Sequence, residues 1–296
     1  MHNPDSLMRA MQFRILKGIL EKIEIPEYIY AFEKEKSIPK MSVKHINKQV
    51  VVSVDLKDFF GSIKQFHLEQ LFQLIGIGGK AGRTLSELCT YTMFVPQGAL
   101  TSPKVSNVVT AMTFGPLIKA YCDEKGYELT IYADDITISS NTPLDGKEGR
   151  ETQYDMLNFL EKQVSLFGFR INDTKTKVMT YDQRQYVCGA VVNQKVNLQK
   201  SERHTLRAIV HNCEKNGIEF EASKNNVTGP KFAEIIMGKL NWFTQLNPTV
   251  GGRVKSQFTK VVMEQSQPNA IAKGVEKVIT PGSEIPVKQE ETTFTF

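Results

Sequence analysis

The run Leu129-Thr130-Ile131-Tyr132-Ala133-Asp134-Asp135-Ile136-Thr137-Ile138 constrains this chain most, because apolar residues alternate on both sides of two adjacent acids. Such alternation predicts a β-hairpin whose two-residue loop is Asp134-Asp135. In that register Ala133 pairs with Ile136 and Ile131 with Ile138, so every aliphatic residue falls on one face. Two-residue loops favour Asn-Gly or Asp-Gly for their positive φ angles, so Asp-Asp is a poor turn by local chemistry. A local rule broken in this way points to chemistry at the hairpin tip.

An isolated Asp-Asp pair at a turn is ordinarily solvated and idle. Here a third acid changes the reading. Seventy-nine residues before Asp134, the β-branched run Val50-Val51-Val52-Ser53-Val54 ends on Asp55, the pattern of a buried strand that emerges at an acid. If that strand lies beside the hairpin, Asp55, Asp134 and Asp135 form one cluster of hard oxygen ligands, suited to Mg²⁺ rather than zinc. Two such cations about 3.5–4 Å apart are the known device for in-line nucleotidyl transfer. Taken alone, Asp55 also reads as the cap of the helix that follows it.

Between these elements lies Phe94-Val95-Pro96-Gln97-Gly98-Ala99-Leu100-Thr101-Ser102-Pro103, which reads as a loop entering a helix. Gly98 permits close backbone approach to a ligand, and Thr101 or Ser102 caps a helix with Pro103 in its first turn. The ordered set Asp-x-x-Asp-Phe-Phe, Pro-Gln-Gly-Ala-x-x-Ser-Pro and Tyr-Ala-Asp-Asp is far more specific than any one piece. On these motifs the chain resembles the bacterial reverse transcriptases, and most closely the retron type. Gly168-Phe169-Arg170-Ile171-Asn172-Asp173-Thr174-Lys175-Thr176 is similar to the family's fourth palm motif, and Val187-Cys188-Gly189 to the retron Val-Thr-Gly region. Phe32-Glu33-Lys34, Ser37-Ile38 and His45 resemble the segment leading into the first catalytic strand, so the likeness runs from about residue 5 to about 260.

The resemblance implies an α+β right-hand polymerase with partial fingers, a ferredoxin-like palm and a helical thumb. It implies two Mg²⁺ ions, with Mn²⁺ as a substitute, held by Asp55, Asp134, Asp135 and the Leu56 carbonyl. Leu56, Asp58, Phe60, Gln97, Gly98 and Ala133 would surround the incoming dNTP. Phe60 would act as the ribose gate, its ring excluding a 2′-hydroxyl, while Phe59 reads as core. Lys175 would be the general acid for pyrophosphate, although a lysine on a polar turn reads equally as solvated. His45, Val187, Cys188, Gly189, Arg203 and Arg207 would contact nucleic acid.

Departures from the family pattern matter too. The chain begins too late to carry the usual basic fingers strand, so Lys17, Lys34 or Lys36 substitutes for it, or nucleotide binding is weak, or another chain contributes. The retron Asn-Ala-x-x-His signature appears as Met41-Ser42-Val43-Lys44-His45, Cys188 replaces a threonine and Leu100 a proline. These changes bear on RNA recognition rather than on the catalytic triad.

Residues 1–197 are expected to form fingers and palm, 198–264 the thumb, and 265–296 a flexible tail. Helices are expected over 5–23, 64–75, 81–93, 103–125 with a bend at Gly115-Pro116, 202–215 and 231–246, and a polar loop over 139–150. Arg203, His204, Arg207 and His211 recur at helical spacing, so their face either lies on duplex phosphates or is simply solvated. Trp242 and Phe243 read as core.

A net charge of +5 permits a nucleic-acid partner without demanding one. Four cysteines without Cys-x-x-Cys spacing argue against zinc or a disulfide framework and fit buried thiols in a reducing cytoplasm. No apolar stretch reaches about 18 residues, so no membrane partner is expected. The chain therefore reads as an RNA-directed DNA polymerase. In the retron reading it copies part of a structured noncoding RNA into single-stranded DNA and keeps company with an effector protein in anti-phage defence. The rivals are a defence-associated or diversity-generating reverse transcriptase, untemplated or protein-primed, a non-catalytic RNA-binding scaffold, and, last, a palm-type nucleotidyl cyclase.

Overall fold

Four strands, β1 (Val50–Asp55), β2 (Glu128–Tyr132), β3 (Asp135–Ser140) and β4 (Lys177–Thr180), form one antiparallel sheet in the order β2-β3-β1-β4. The structure is a computed structural model describing residues 4–142 and 146–265. Helices between β1 and β2, and one between β3 and β4, make this the βαββαβ pattern of a ferredoxin-like palm. The sheet is legible in the composition of β1, which is buried along almost its whole length because both its faces are covered.

Directly paired residues share a face. On one face Val52 and Val54 of β1 meet Ile138 and Ile136 of β3, which in turn meet Leu129 and Ile131 of β2. This face packs with Phe114, Ile118, Leu160 and Phe169 in the main core. Each such aliphatic side chain, fully buried, contributes about 1.5–3 kcal/mol. The opposite face carries Val51 and Met179, packed with Tyr30, Met41, Val187 and Val192. Asp55 and Asp135, paired across β1 and β3, stand at the end of that second face.

The hairpin register differs from the expectation by one step. Tyr132 pairs with Asp135 and Ile131 with Ile136, so the loop is Ala133-Asp134 and Asp135 belongs to β3. Ala133 takes the positive φ, +53°, that a two-residue loop requires. The aliphatic residues still face one another, and the shift brings Asp135 level with Asp55.

The helices of the first part are α1 (Ser6–Gly18), α2 (Ile38–Val43), α3 (Phe59–Ser62), α4 (Gln65–Leu74), α5 (Gly79–Cys89), α6 (Ser102–Met112), α7 (Phe114–Lys125) and α8 (Gly146–Ser165). Asp5 caps α1 by accepting from Met8 N, and a short 3₁₀ turn at Leu20–Lys22 follows it. The break between α6 and α7 falls at Thr113, where Pro116 has no N–H to continue the helical ladder. A small hairpin of β5 (Tyr186–Val187) and β6 (Ala190–Val191) follows β4.

The remaining helices are α9 (Lys200–Asn216), α10 (Ile218–Ser223), α11 (Gly229–Leu246) and α12 (Pro248–Gln265). The chain divides into two compact units, one running up to Lys200 with Gln245–Asn247, the other comprising Ser201–Thr244 and the residues from Pro248. The second unit buries Leu206, Val210, Cys213, Phe232, Leu240, Phe243 and Phe258. Gly251 lets α12 approach closely, since a Cβ there would lie 2.7 Å from the Phe243 backbone. Phe243 is core as expected, whereas Trp242 is half-buried. The polar loop expected over 139–150 is shorter, because β3 runs on to Ser140 and α8 already starts at Gly146; residues 143–145, and almost the whole tail over 265–296, lie outside the described residues.

Candidate active site

Backbone pairing builds the site before any side chain does. Leu56 N donates to the Asp134 carbonyl at 3.0 Å, tying the end of β1 to the hairpin loop. Lys57 N donates to Arg170 O at 2.8 Å, and Asn172 N donates to Asp55 O at 2.8 Å, so the fourth palm motif runs beside the same strand end. The three sequence-distant motifs therefore meet at Asp55, which is 9% exposed.

The Asp55 carboxylate is held at both oxygens. Asn172 Nδ2 donates to Oδ1 at 3.1 Å and Lys175 Nζ to Oδ2 at 3.1 Å. Thr174 Oγ1 donates to Asn172 Oδ1 at 2.8 Å, which turns the amide's donor end toward Asp55. Sequence reasoning gave Asn172 no role; its signal was its place in Asn-x-x-Lys on the turn. Burial pushes the pKa values of Asp134 and Asp135 up, and the neighbouring carboxylates push them further in the same direction. The bond to Asp55 pushes the Lys175 pKa up.

Two clefts meet along this wall. One, of roughly 350 Å³, is lined by Asp55, Leu56, Asp58, Phe60, Gln97, Asp134 and Lys175, among others. The other, of roughly 280 Å³, is lined by Asp55, Asp135, Lys175, Tyr186, Cys188 and Gly189, among others. Gly98, at φ +108°, forms the turn after Gln97, and Ala133 is buried at the hairpin tip. Asp58 has φ +43° and folds its carboxylate over Gly61, where a Cβ would meet Asp58 Oδ2 at 2.2 Å.

Three carboxylates and a backbone carbonyl are a hard donor set that suits Mg²⁺ rather than Zn²⁺. They do not stand as a finished cage: among the described residues no three acidic, histidine or cysteine side chains come together as metal ligands. The backbone brings the three acids to one strand end, while Lys175, Asn172 and Cys188 occupy carboxylate oxygens. Asp55, Asp134, Asp135 and the Leu56 carbonyl are the groups available to a metal.

Two expected nucleic-acid contacts, His45 and Val187, are corrected by their burial. His45 is fully buried, with Nδ1 2.7 Å from Ser139 Oγ and Nε2 2.8 Å from Thr130 Oγ1, so both ring nitrogens are spent tying the turn after α2 to the sheet. Val187 is also fully buried, whereas Cys188 is half-buried and Gly189 exposed at the hairpin turn. The Cys188 thiol donates to Asp135 Oδ2 at 3.6 Å, and burial pushes its pKa up. Arg203 is half-buried on α9 with Nε enclosed, and Arg207 is exposed.

Two of the three candidate substitute lysines are engaged elsewhere. Lys36 Nζ donates to the carbonyls of Pro26 and Ile29 at 2.8 and 2.6 Å, and Lys17 pairs with Glu21 at 2.6 Å. Lys34 lines a third cleft with Phe32, Leu100 and Pro103.

Fold and site together define a right-hand polymerase with a ferredoxin-like palm. The chain belongs to the reverse transcriptase (RNA-dependent DNA polymerase) family, whose model matches residues 2–233. It is 28% identical over 211 residues to the Retron Ec86 reverse transcriptase of Escherichia coli, covering 71% of this chain and 63% of that one. It is 28% identical over 249 residues to the Retron Mx65 reverse transcriptase of Myxococcus xanthus, covering 77% and 56%. The chain thus spans roughly three-fifths of the length of these relatives. Among solved structures, apo telomerase from Candida tropicalis aligns with 65% of this chain and 44% of its own at 10% identity, TM-score 0.42.

Proposed function

We propose that this chain is a retron-type RNA-directed DNA polymerase, which copies part of a structured noncoding RNA into single-stranded DNA. One observation carries the reading: Asp55 and Asp135 are direct partners across β1 and β3, with Asp134 on the adjoining loop, where two clefts meet. Mg²⁺ bound by Asp55, Asp134, Asp135 and the Leu56 carbonyl would supply Lewis acidity that lowers the pKa of the primer hydroxyl and neutralises the triphosphate.

The chain's own residues do the rest. In this reading the cleft of Phe60 and Gln97 takes the dNTP, with Asp58 and Gly98 on its wall. The Phe60 ring faces the sugar, and Ala133 leaves room for the primer end. Lys175, charged at neutral pH and beside Asp55, gives a proton to departing pyrophosphate. The cleft of Cys188 and Gly189 takes the primer strand. Residues 1–197 act as fingers and palm and 198–264 as thumb, with Arg203 and Arg207 on the duplex phosphates. An effector protein completes the defence role. No helix among the described residues is long and apolar enough to cross a membrane, which fits action on a cytoplasmic RNA.

The test compares wild type with Asp134→Asn, each purified from the native host, for the nucleic acid that co-purifies. Short DNA joined to RNA in the wild type alone is the expected result. RNA without DNA in both would replace the polymerase by a binding scaffold, and DNA joined to a protein tyrosine would replace the retron reading by protein priming.

A further inference from the structure

Phe32 stands in a conformation that its own packing does not explain. Its φ is +59°, a region that bulky side chains avoid, and half of its surface, 51%, is exposed. Strain of this kind persists only where the surroundings over-determine it, and it gathers at functional sites.

The surroundings of Phe32 do over-determine it. Asn107 Nδ2, on α6 and 1% exposed, donates to Ala31 O at 2.6 Å and to Glu33 Oε1 at 2.9 Å, gripping both neighbours of Phe32. Lys104 Nζ, one turn earlier on α6, donates to both Glu33 oxygens at 3.0 and 3.2 Å. Upstream, Tyr30 N donates to Ile131 O and Ile131 N to Tyr28 O, so the segment is also stitched to β2 beside Tyr132.

What this clamp presents is a ring. Phe32 lies 6.5 Å from Phe60 and 6.4 Å from Tyr132, centroid to centroid, within the range of aromatic pairing. Phe60 also pairs with the core residue Phe59, 5.5 Å from it. Phe60 lines the cleft of Asp55 and Gln97, whereas Phe32 lines the neighbouring cleft of Leu100 and Pro103.

We propose that Phe32 is a positioning residue for sugar selection: clamped by Glu33, Lys104 and Asn107, it braces the Phe60 ring from outside the nucleotide cleft. The inference rests on the reading that Phe60 faces the sugar. Without the brace the Phe60 ring gains freedom toward the vacated space, and the cleft admits a 2′-hydroxyl.

The test measures kcat/KM for a dNTP and its matching rNTP on a primed RNA template with the full chain and its Phe60→Ala, Phe32→Ala, Phe32→Tyr and double-alanine variants. Phe60→Ala is expected to collapse the dNTP preference. Phe32→Ala is expected to lower it roughly three- to tenfold, the size of one aromatic pair contact, Phe32→Tyr to retain it, and Phe32→Ala to add nothing once Phe60 is alanine. Should extension be too slow to measure, thermal shifts with dATP and ATP read the same preference. An unchanged preference in Phe32→Ala, with Phe60→Ala altered, overturns the brace and leaves the gate standing. An unchanged preference in Phe60→Ala overturns both. Weakened binding of the primed template by Phe32→Ala at constant preference also overturns the brace and assigns Phe32 to the nucleic acid.

Discussion

Lys175 sets its ammonium 3.1 Å from Asp55 Oδ2, so the acid that ends β1 is ion-paired to a side chain 120 residues further along the chain. The same ammonium also interacts with the charges of Asp134 and Asp135. Lys175 is thus the countercharge to three mutually repelling carboxylates, and a metal that binds them competes with it.

Removing that competitor gives the first prediction. Lys175→Met is expected to let Mg²⁺ raise the melting temperature at concentrations up to about fivefold lower than wild type needs, the scale of an exposed ion pair. Nucleotide incorporation is expected to fall in the same variant. A melting curve whose Mg²⁺ dependence matches wild type would remove Lys175 from the acidic site.

The turn at Cys188-Gly189 has positive φ at both positions, +45° and +82°, as a type I′ hairpin requires. Cysteine is poor in that conformation and asparagine is good, and an Asn amide also offers a donor to Asp135. Cys188→Asn is therefore expected to stabilise the protein by about 0.5–1 kcal/mol, read from the urea midpoint. A lower midpoint would show that the thiol's bond to Asp135 outweighs the turn strain.

The legible parts of this chain were those set by alternation. β1 and the β2–β3 hairpin follow from β-branched and alternating residues, and their adjacency follows from the acids each one ends in. The register did not follow, because the positive φ falls on Ala133, a residue with no turn signature. No helix is expected from the sequence over α12, whose stretch holds the helix breakers Pro248 and Gly251-Gly252; Pro248 starts the helix, where its lost N–H costs nothing, and Gly251 lets α12 pack on Phe243. The role of His45 was misread because nothing local shows that Thr130 and Ser139, 85 and 94 residues away, close over it.

His45 also makes stability depend on pH. Burial pushes its pKa down from the usual 6.5 to about 3. The unfolded chain therefore takes up a proton below pH 6.5 that the folded chain refuses until about pH 3. Stability is complete above the unfolded value and is lost as pH falls through that window, by about 2 kcal/mol between pH 7.5 and 5. His45→Gln is expected to be less stable at pH 7.5, since it loses one of two buried bonds, but to lose about 2 kcal/mol less on going to pH 5. Equal pH slopes in urea titrations of the two proteins would place the acid sensitivity elsewhere.

The Glu33–Lys104 pair is nearly enclosed, with side-chain exposures of 18% and 12%, and it fixes the segment that carries Phe32. Truncating one partner leaves the other charge in a poorly solvated place, which costs about 3–5 kcal/mol for a buried pair. Lys104→Met is therefore expected to destabilise by about 3 kcal/mol. Adding Glu33→Gln removes the stranded charge while an amide oxygen still accepts from Asn107, so the double variant is expected to recover most of that loss. Denaturant unfolding of both variants decides the matter. A double variant no more stable than Lys104→Met would mean that Lys104 acts through the packing of its alkyl stem rather than by neutralising Glu33.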